Sequence, residues 1–108
     1  MIKPKKILER DVEKYLVERA KALGGECRKV KWLGRSGAPD RIVMLPWLNP
    51  ASPAEVRHTG PTQTIWIELK APGKTPEPHQ LREHERMRKM GQRVEVVDSF
   101  ERVDEVLS

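Results

Sequence analysis

The chain has a single cysteine, Cys27, in 108 residues. No internal disulfide can form, and Cys27 with three scattered histidines does not make a zinc site. The cytoplasm, a reducing compartment, is the expected location. Aromatic residues are also few: three Trp, one Tyr and one Phe, with 37% hydrophobic against 34% charged residues. Such a composition gives a thin core under a densely charged surface, which makes a homodimer that buries further apolar area an expectation. No apolar run approaches the roughly 20 residues of a membrane span. The basic start Met1-Ile2-Lys3-Pro4-Lys5-Lys6 is not followed by a secretory apolar segment, so no membrane partner is expected. Repeats and low-complexity tracts are absent, and residues 1–108 fit one domain without room for a separate substrate-binding unit.

What is present in excess is positive charge. Lys and Arg number 21 against 16 Asp and Glu, a net charge of +5, which suits a polyanionic partner such as DNA.

Hydrophobic spacing sets out the elements. Ile7, Leu8, Val12, Tyr15, Leu16, Ala20 and Leu23 recur every three or four residues, so a helix is expected over about 5–23, stopped by Gly24-Gly25. Residues 26–32 read as an edge strand, 34–39 as a loop, and 40–45 and 62–70 as two strands rich in β-branched residues. The prolines at 46, 50, 53 and 61 break regular structure between those two strands, which makes 46–61 a long, exposed insertion in a hairpin. A charged helix follows over 78–90, with Leu81, Met87 and Met90 as its narrow apolar stripe. Gly91 ends it, a strand covers 94–97, and a last helix covers 100–107 behind an Asp98 or Ser99 cap. The fold class expected is therefore α/β: a mixed sheet of about four strands flanked by helices, in the order α-β-β-β-α-β-α.

Within Ile65-Trp66-Ile67-Glu68-Leu69-Lys70, strand alternation puts Glu68 and Lys70 on the face opposite Ile65, Ile67 and Leu69. A carboxylate beside an ammonium at a strand end can hold a hard cation and place positive charge next to a reacting phosphate. With 12 Glu and 10 Lys in the chain, one Glu-x-Lys triplet is expected by chance roughly once, so alone it signifies nothing. The preceding strand changes the weight. Gly37-Ala38-Pro39-Asp40 places an acid, a poor strand former, at the entry of an apolar run, and antiparallel pairing would bring Asp40 near Glu68.

These residues resemble the PD-(D/E)XK nuclease superfamily, with Pro39-Asp40 and Glu68-Leu69-Lys70 as the motif. The nearer resemblance is to its VRR-NUC group, the virus-type replication and repair nuclease domain. Its acidic first helix, Gly-x-Pro-Asp turn, Glu-x-Lys strand and following Gln are matched by Glu9, Gly37 to Asp40, Glu68 to Lys70, and Gln80. The resemblance implies a restriction-endonuclease-like core in which Asp40, Glu68 and the main-chain carbonyl of Leu69 bind Mg²⁺ or Mn²⁺, without an organic cofactor. It implies further that Lys70 orients the attacking water and stabilises charge on the phosphate. Glu9 and Glu13 stand one turn apart and spacing does not choose between them; the resemblance favours Glu9 as a further ligand or water-holding group. Gln80 begins the helix that leaves the active strand, where it could orient a phosphate or water or simply sit on the surface; the first reading is preferred.

Arg35 and Lys74, in loops that flank the proposed site, and Lys31, on a strand face, are the expected DNA contacts, and such contacts position DNA without reading its sequence. Trp32, Trp47 and Trp66 could stack on bases, though core or interface packing is the commoner role for Trp32 and Trp66. The function expected is that of a structure-specific endonuclease in replication or repair, with branched DNA such as a four-way Holliday junction as substrate. A junction cut at two symmetric points calls for a two-fold dimer. The rival reading is a nucleic-acid-binding module without activity, whose acidic pair is structural.

Overall fold

Asp11 decides where the first helix begins. Its carboxylate accepts the Leu8 N–H at 2.8 Å, satisfying a donor the helix itself leaves orphaned, so α1 spans Glu9–Ala22 rather than starting at Lys5. At the other end Gly24 adopts φ +84° and the Gly25 N–H returns to the Ala20 carbonyl at 2.9 Å, the left-handed stop that the glycine pair implies.

The computed structural model describes residues 5–46 and 63–108. Trp47 and nearly all of the Pro-rich insertion lie outside the described residues. The remaining elements are β1 (Glu26–Lys29), β2 (Arg41–Leu45), β3 (Gln63–Leu69), α2 (Pro78–Lys89), β4 (Arg93–Val97) and α3 (Phe100–Leu107). Ser99 caps α3, its hydroxyl accepting the Arg102 N–H. The order is the expected α-β-β-β-α-β-α. The four strands form one sheet in the order β1-β2-β3-β4: β1–β2 and β2–β3 pair antiparallel and β3–β4 parallel, because β4 is reached through the α2 crossover.

One face of the sheet carries the main apolar core. Val43, Leu45, Ile65, Ile67, Leu69 and Val97 meet Val12, Leu16 and Ala20 of α1 and Val103, Val106 and Leu107 of α3. Truncating a fully buried Ile such as Ile65 or Ile67 typically costs about 2–5 kcal/mol, so this layer holds β3 in place.

The other face belongs to α2, and here the sequence expectation needs correcting. Leu81 and Met90 do not pack: they are 51% and 66% exposed. The buried residues of α2 are Glu83, His84 and Met87. The helix is rotated so that polar groups, which have partners on the sheet and on a loop, face inward in place of the apolar stripe. The expected strand 26–32 is also shorter. After Lys29 only one further ladder bond forms, from the Val30 N–H to the Asp40 carbonyl at 2.9 Å. The chain then leaves the sheet edge so that Trp32 can pack on Trp66, ring centroids 5.2 Å apart, and donate its indole N–H to the Pro39 carbonyl at 2.8 Å.

Candidate active site

The β2–β3 register determines the central pair. Arg41 stands opposite Ile67, so one step further along an antiparallel ladder Asp40 stands opposite Glu68, on the sheet face that α2 covers. Asp40 is at the rim, with its side chain 51% exposed, while Glu68 is buried. Burial raises the Glu68 pKa from 4.5 to about 7; Lys70 and Arg41 pull it down, whereas Asp40 and Glu9 push it up. A carboxyl shifted this far by burial beside other charged groups marks a candidate functional position.

Lys70 follows β3, and its N–H still bonds the Val97 carbonyl at 3.0 Å. Its side chain returns toward α2, where Nζ donates to Gln80 Oε1 at 2.8 Å. The same Gln80 oxygen accepts the Glu77 N–H at 2.8 Å. Gln80 is thus locked into the start of α2 by one donor and holds the Lys70 ammonium with the other lone pair.

One turn along α2, His84 Nε2 lies 3.3 Å from Glu68 Oε1. The ring is fully buried and its Nδ1 has no partner. Burial, with Arg88 and Lys70 nearby, lowers the His84 pKa, Glu83 opposing, which favours the neutral ring. A proton on Nε2 donates to Glu68 and leaves only a lone pair unmet at Nδ1, which costs less than an orphaned donor. Sequence reasoning missed His84; its signal was the i, i+4 spacing from Gln80, which puts both on one helix face.

Arg41 was missed as well. It is buried beneath α1, with NH2 3.0 Å from Glu13 Oε1 and NH1 2.9 Å from Asp40 Oδ1. Burial alone would lower its pKa, but Glu13 and Asp40 outweigh that and raise it. This separates the two acids of α1. Glu13 is committed to Arg41, whereas Glu9 is exposed, has no ion-pair partner among the described residues, and its charge reaches Glu68.

The loop that delivers Asp40 is anchored on α2. Glu83, itself buried, pairs with Arg35 Nε at 3.2 Å and with Arg86 at 2.8 Å. Gly37, at φ +86°, presses so closely on the helix that a Cβ there would lie 2.9 Å from the His79 carbonyl oxygen and 3.3 Å from Gln80 Cα. Both the dihedral and the contact exclude a side chain. Gly37→Ala is expected to destabilise the fold by about 2 kcal/mol or more, read as a lower urea midpoint with an unchanged slope. Of the expected DNA contacts, Lys31 and Lys74 are exposed and Arg35 is half-exposed, held through Nε by Glu83.

Among the described residues no three His, Cys, Asp or Glu side chains gather closely enough to hold a metal ion by themselves. The donor chemistry nevertheless fits a hard divalent ion. Asp40 and Glu68 face each other across adjacent strands, the Leu69 carbonyl follows directly, and Glu9 supplies further negative charge at Glu68. Mg²⁺ completes its octahedron with water and needs only one or two carboxylates.

Comparison with known proteins agrees with this geometry. No family model matches the chain. It is 41% identical over 93 residues to "Putative nuclease p44" of Acyrthosiphon pisum secondary endosymbiont phage 1, covering 86% of this chain and 85% of that protein. A solved structure described as a VRR_NUC domain superposes with a TM-score of 0.70 at 45% identity, covering 92% of both chains. With the pairing of Asp40 and Glu68, the Lys70–Gln80 contact and these likenesses together, the chain belongs to the VRR-NUC family of nucleases.

Proposed function

We propose that this single-domain protein is a divalent-metal-dependent DNA endonuclease that hydrolyses phosphodiester bonds in branched DNA, four-way junctions included, as a homodimer serving replication or repair in the cytoplasm. The observation that carries the reading is the convergence of Asp40, Glu68 and the Lys70–Gln80 pair at adjoining strand ends. The net charge of +5 supports a polyanionic substrate. The preference for branched DNA and the dimer rest on the family likeness.

Asp40, Glu68 and the Leu69 carbonyl are assigned as the ligands of Mg²⁺ or Mn²⁺, with Glu9 as a further ligand or a holder of water. When bound, the ion supplies charge neutralisation at the phosphate and lowers the pKa of water near it. Arg41 holds Asp40 at the strand entry, and His84 holds Glu68. The Lys70 ammonium, kept in place by Gln80, sits beside Glu68, where it can orient a water and stabilise the charge that builds on the phosphate oxygens in the transition state. Arg35, Lys31 and Lys74 are assigned to phosphate contacts.

Asp40 is the most telling position, because Glu68-Leu69-Lys70 lacks meaning without it. A panel of labelled four-way, flapped, duplex and single-stranded DNAs, incubated with Mg²⁺ or Mn²⁺, is expected to show cleavage of the branched members. Asp40→Ala should reduce it at least about 10³-fold, in line with loss of a group that organises transition-state charge. Intact DNA throughout would leave the non-catalytic binding module as the reading; undiminished cleavage by Asp40→Ala would mean the site lies elsewhere.

A further inference from the structure

The segment between β1 and β2 has features that the reaction at Asp40 does not require. Leu33 stands at its tip with 85% of its surface exposed, and no other large apolar side chain among the described residues is as open. Gly34 beside it, at φ +70°, has nothing within 4 Å of where a Cβ would be. The residues on either side of the tip, Trp32 and Arg35, share with Lys29, Lys31 and Asp40 the lining of an open groove of about 580 Å³. Lys29 and Lys31 are exposed and have no ion-pair partner among the described residues. The groove therefore has three cations and the acid assigned to metal binding in one lining.

The loop is also held stiffly. Arg35 is tied to the buried Glu83, Gly37 is pressed on α2, and Trp32 is fixed by Trp66 and the Pro39 carbonyl. Because the Trp32 ring is occupied in that packing, Leu33 is the exposed apolar side chain of this loop left for contact with a base. An apolar group on a rigid, cationic rim can reach a base face only where stacking is interrupted. Continuous duplex presents edges and phosphates, whereas a junction or a flap presents the flat face of a terminal base pair.

We propose that the β1–β2 loop is the branch-sensing element of this protein: Lys29 and Lys31 guide the phosphates of one strand along the groove to Asp40, and Leu33 packs on the terminal base pair where two strands part. The groove volume is in the range of a site for a nucleotide-sized ligand. This inference rests on the reading of the protein as a nuclease of branched DNA and adds to it the residue that would confer the preference.

The test compares the full chain with Leu33→Ser and with the pair Lys29→Gln, Lys31→Gln, on branched and unbranched DNAs of the same sequence. Affinity is measured by anisotropy without divalent metal, and cleavage with Mg²⁺. Leu33 lies in open solvent, so the serine variant should keep the thermal midpoint of the parent. Its selectivity, branched over unbranched, is expected to fall about tenfold in both assays. The lysine pair should weaken binding to all DNAs and flatten the salt dependence of log K by nearly two, since each phosphate contact contributes about 0.9. An unchanged selectivity in Leu33→Ser would overturn the inference, as would a parent protein that shows no preference for branched DNA. A serine variant whose sedimentation shifts from dimer to monomer would overturn it too, because Leu33 would then be covered by a second copy of the chain. If the parent cuts nothing yet binds branched DNA with a Leu33-dependent preference, the nuclease reading fails and the branch-sensing loop stands.

Discussion

Lys70→Met should lower kcat by about 10³-fold while leaving DNA affinity within about threefold. The methionine keeps most of the length and removes only the ammonium, so the variant asks what the charge does. A cation that merely attracted DNA would be replaceable, since it is one of 21 Lys and Arg residues in the chain and exposed charges are screened over a Debye length of about 10 Å. Lys70 differs in being directional: its Nζ is held at 2.8 Å by Gln80, beside the buried Glu68 carboxylate. Interactions realised chiefly in the transition state raise kcat rather than affinity, and loss of one such group typically costs about 10²–10³ in rate. Gln80→Ala should cost less, about tenfold, because the ammonium remains but wanders. The double variant should be no slower than Lys70→Met alone, as expected for two residues acting through one atom. Additive losses in single-turnover cleavage would show that Gln80 acts on its own, and an equal loss of affinity and rate in Lys70→Met would reduce Lys70 to a phosphate contact.

The sequence made some of this architecture legible and hid the rest for physical reasons. Core strands declare themselves through alternation, so Ile65, Ile67 and Leu69 identified β3 and, by difference, the face of Glu68 and Lys70. Antiparallel pairing of two successive strands then brought Asp40 opposite Glu68 without further information. What pattern reading could not supply was the inward face of α2. Hydrophobic periodicity assumes that buried means apolar, and α2 buries Glu83 and His84 because each has a partner remote in sequence: the loop arginine Arg35 for one, the strand carboxylate Glu68 for the other. That Glu13 rather than Glu9 pairs with Arg41 was equally invisible, since the contact spans 28 residues of chain. Polar burial is a property of pairs, and only the fold makes the pairs.

That same buried polar layer should make metal affinity depend steeply on pH. With no metal bound, burial raises the Glu68 pKa to about 7, so at pH 5.5 the carboxyl is mostly protonated, and any divalent ion must displace that proton to use the oxygen. The expected result by isothermal calorimetry is a Mg²⁺ affinity that climbs about tenfold per pH unit below 7 and levels off above it, with close to one proton released at pH 6 and almost none at pH 8. The linkage to stability runs the same way. A carboxyl whose pKa is raised on folding takes up a proton when the chain folds. The corresponding contribution to metal-free stability is full below the unfolded pKa near 4.5 and is lost as pH rises through about 7. Over that window the loss amounts to about 3 kcal/mol at most, because a tenfold change in proton affinity is worth about 1.36 kcal/mol. Mg²⁺ offsets it only where Glu68 has ionised, so the rise in thermal midpoint on adding Mg²⁺ should be larger at pH 8 than at pH 5.5. Glu68→Gln separates this account from a general effect of pH on the protein. The amide keeps the shape, remains neutral and can still meet His84, so the metal-free variant should lack the decline in stability as pH rises toward 7 and keep only the opposite trend from His84, whose lowered pKa costs stability as pH falls below the ordinary histidine value of 6.5. A wild-type affinity for Mg²⁺ that is flat across that range, with no proton released, would remove Glu68 from the ligand set and leave Asp40 and Glu9 to hold the ion.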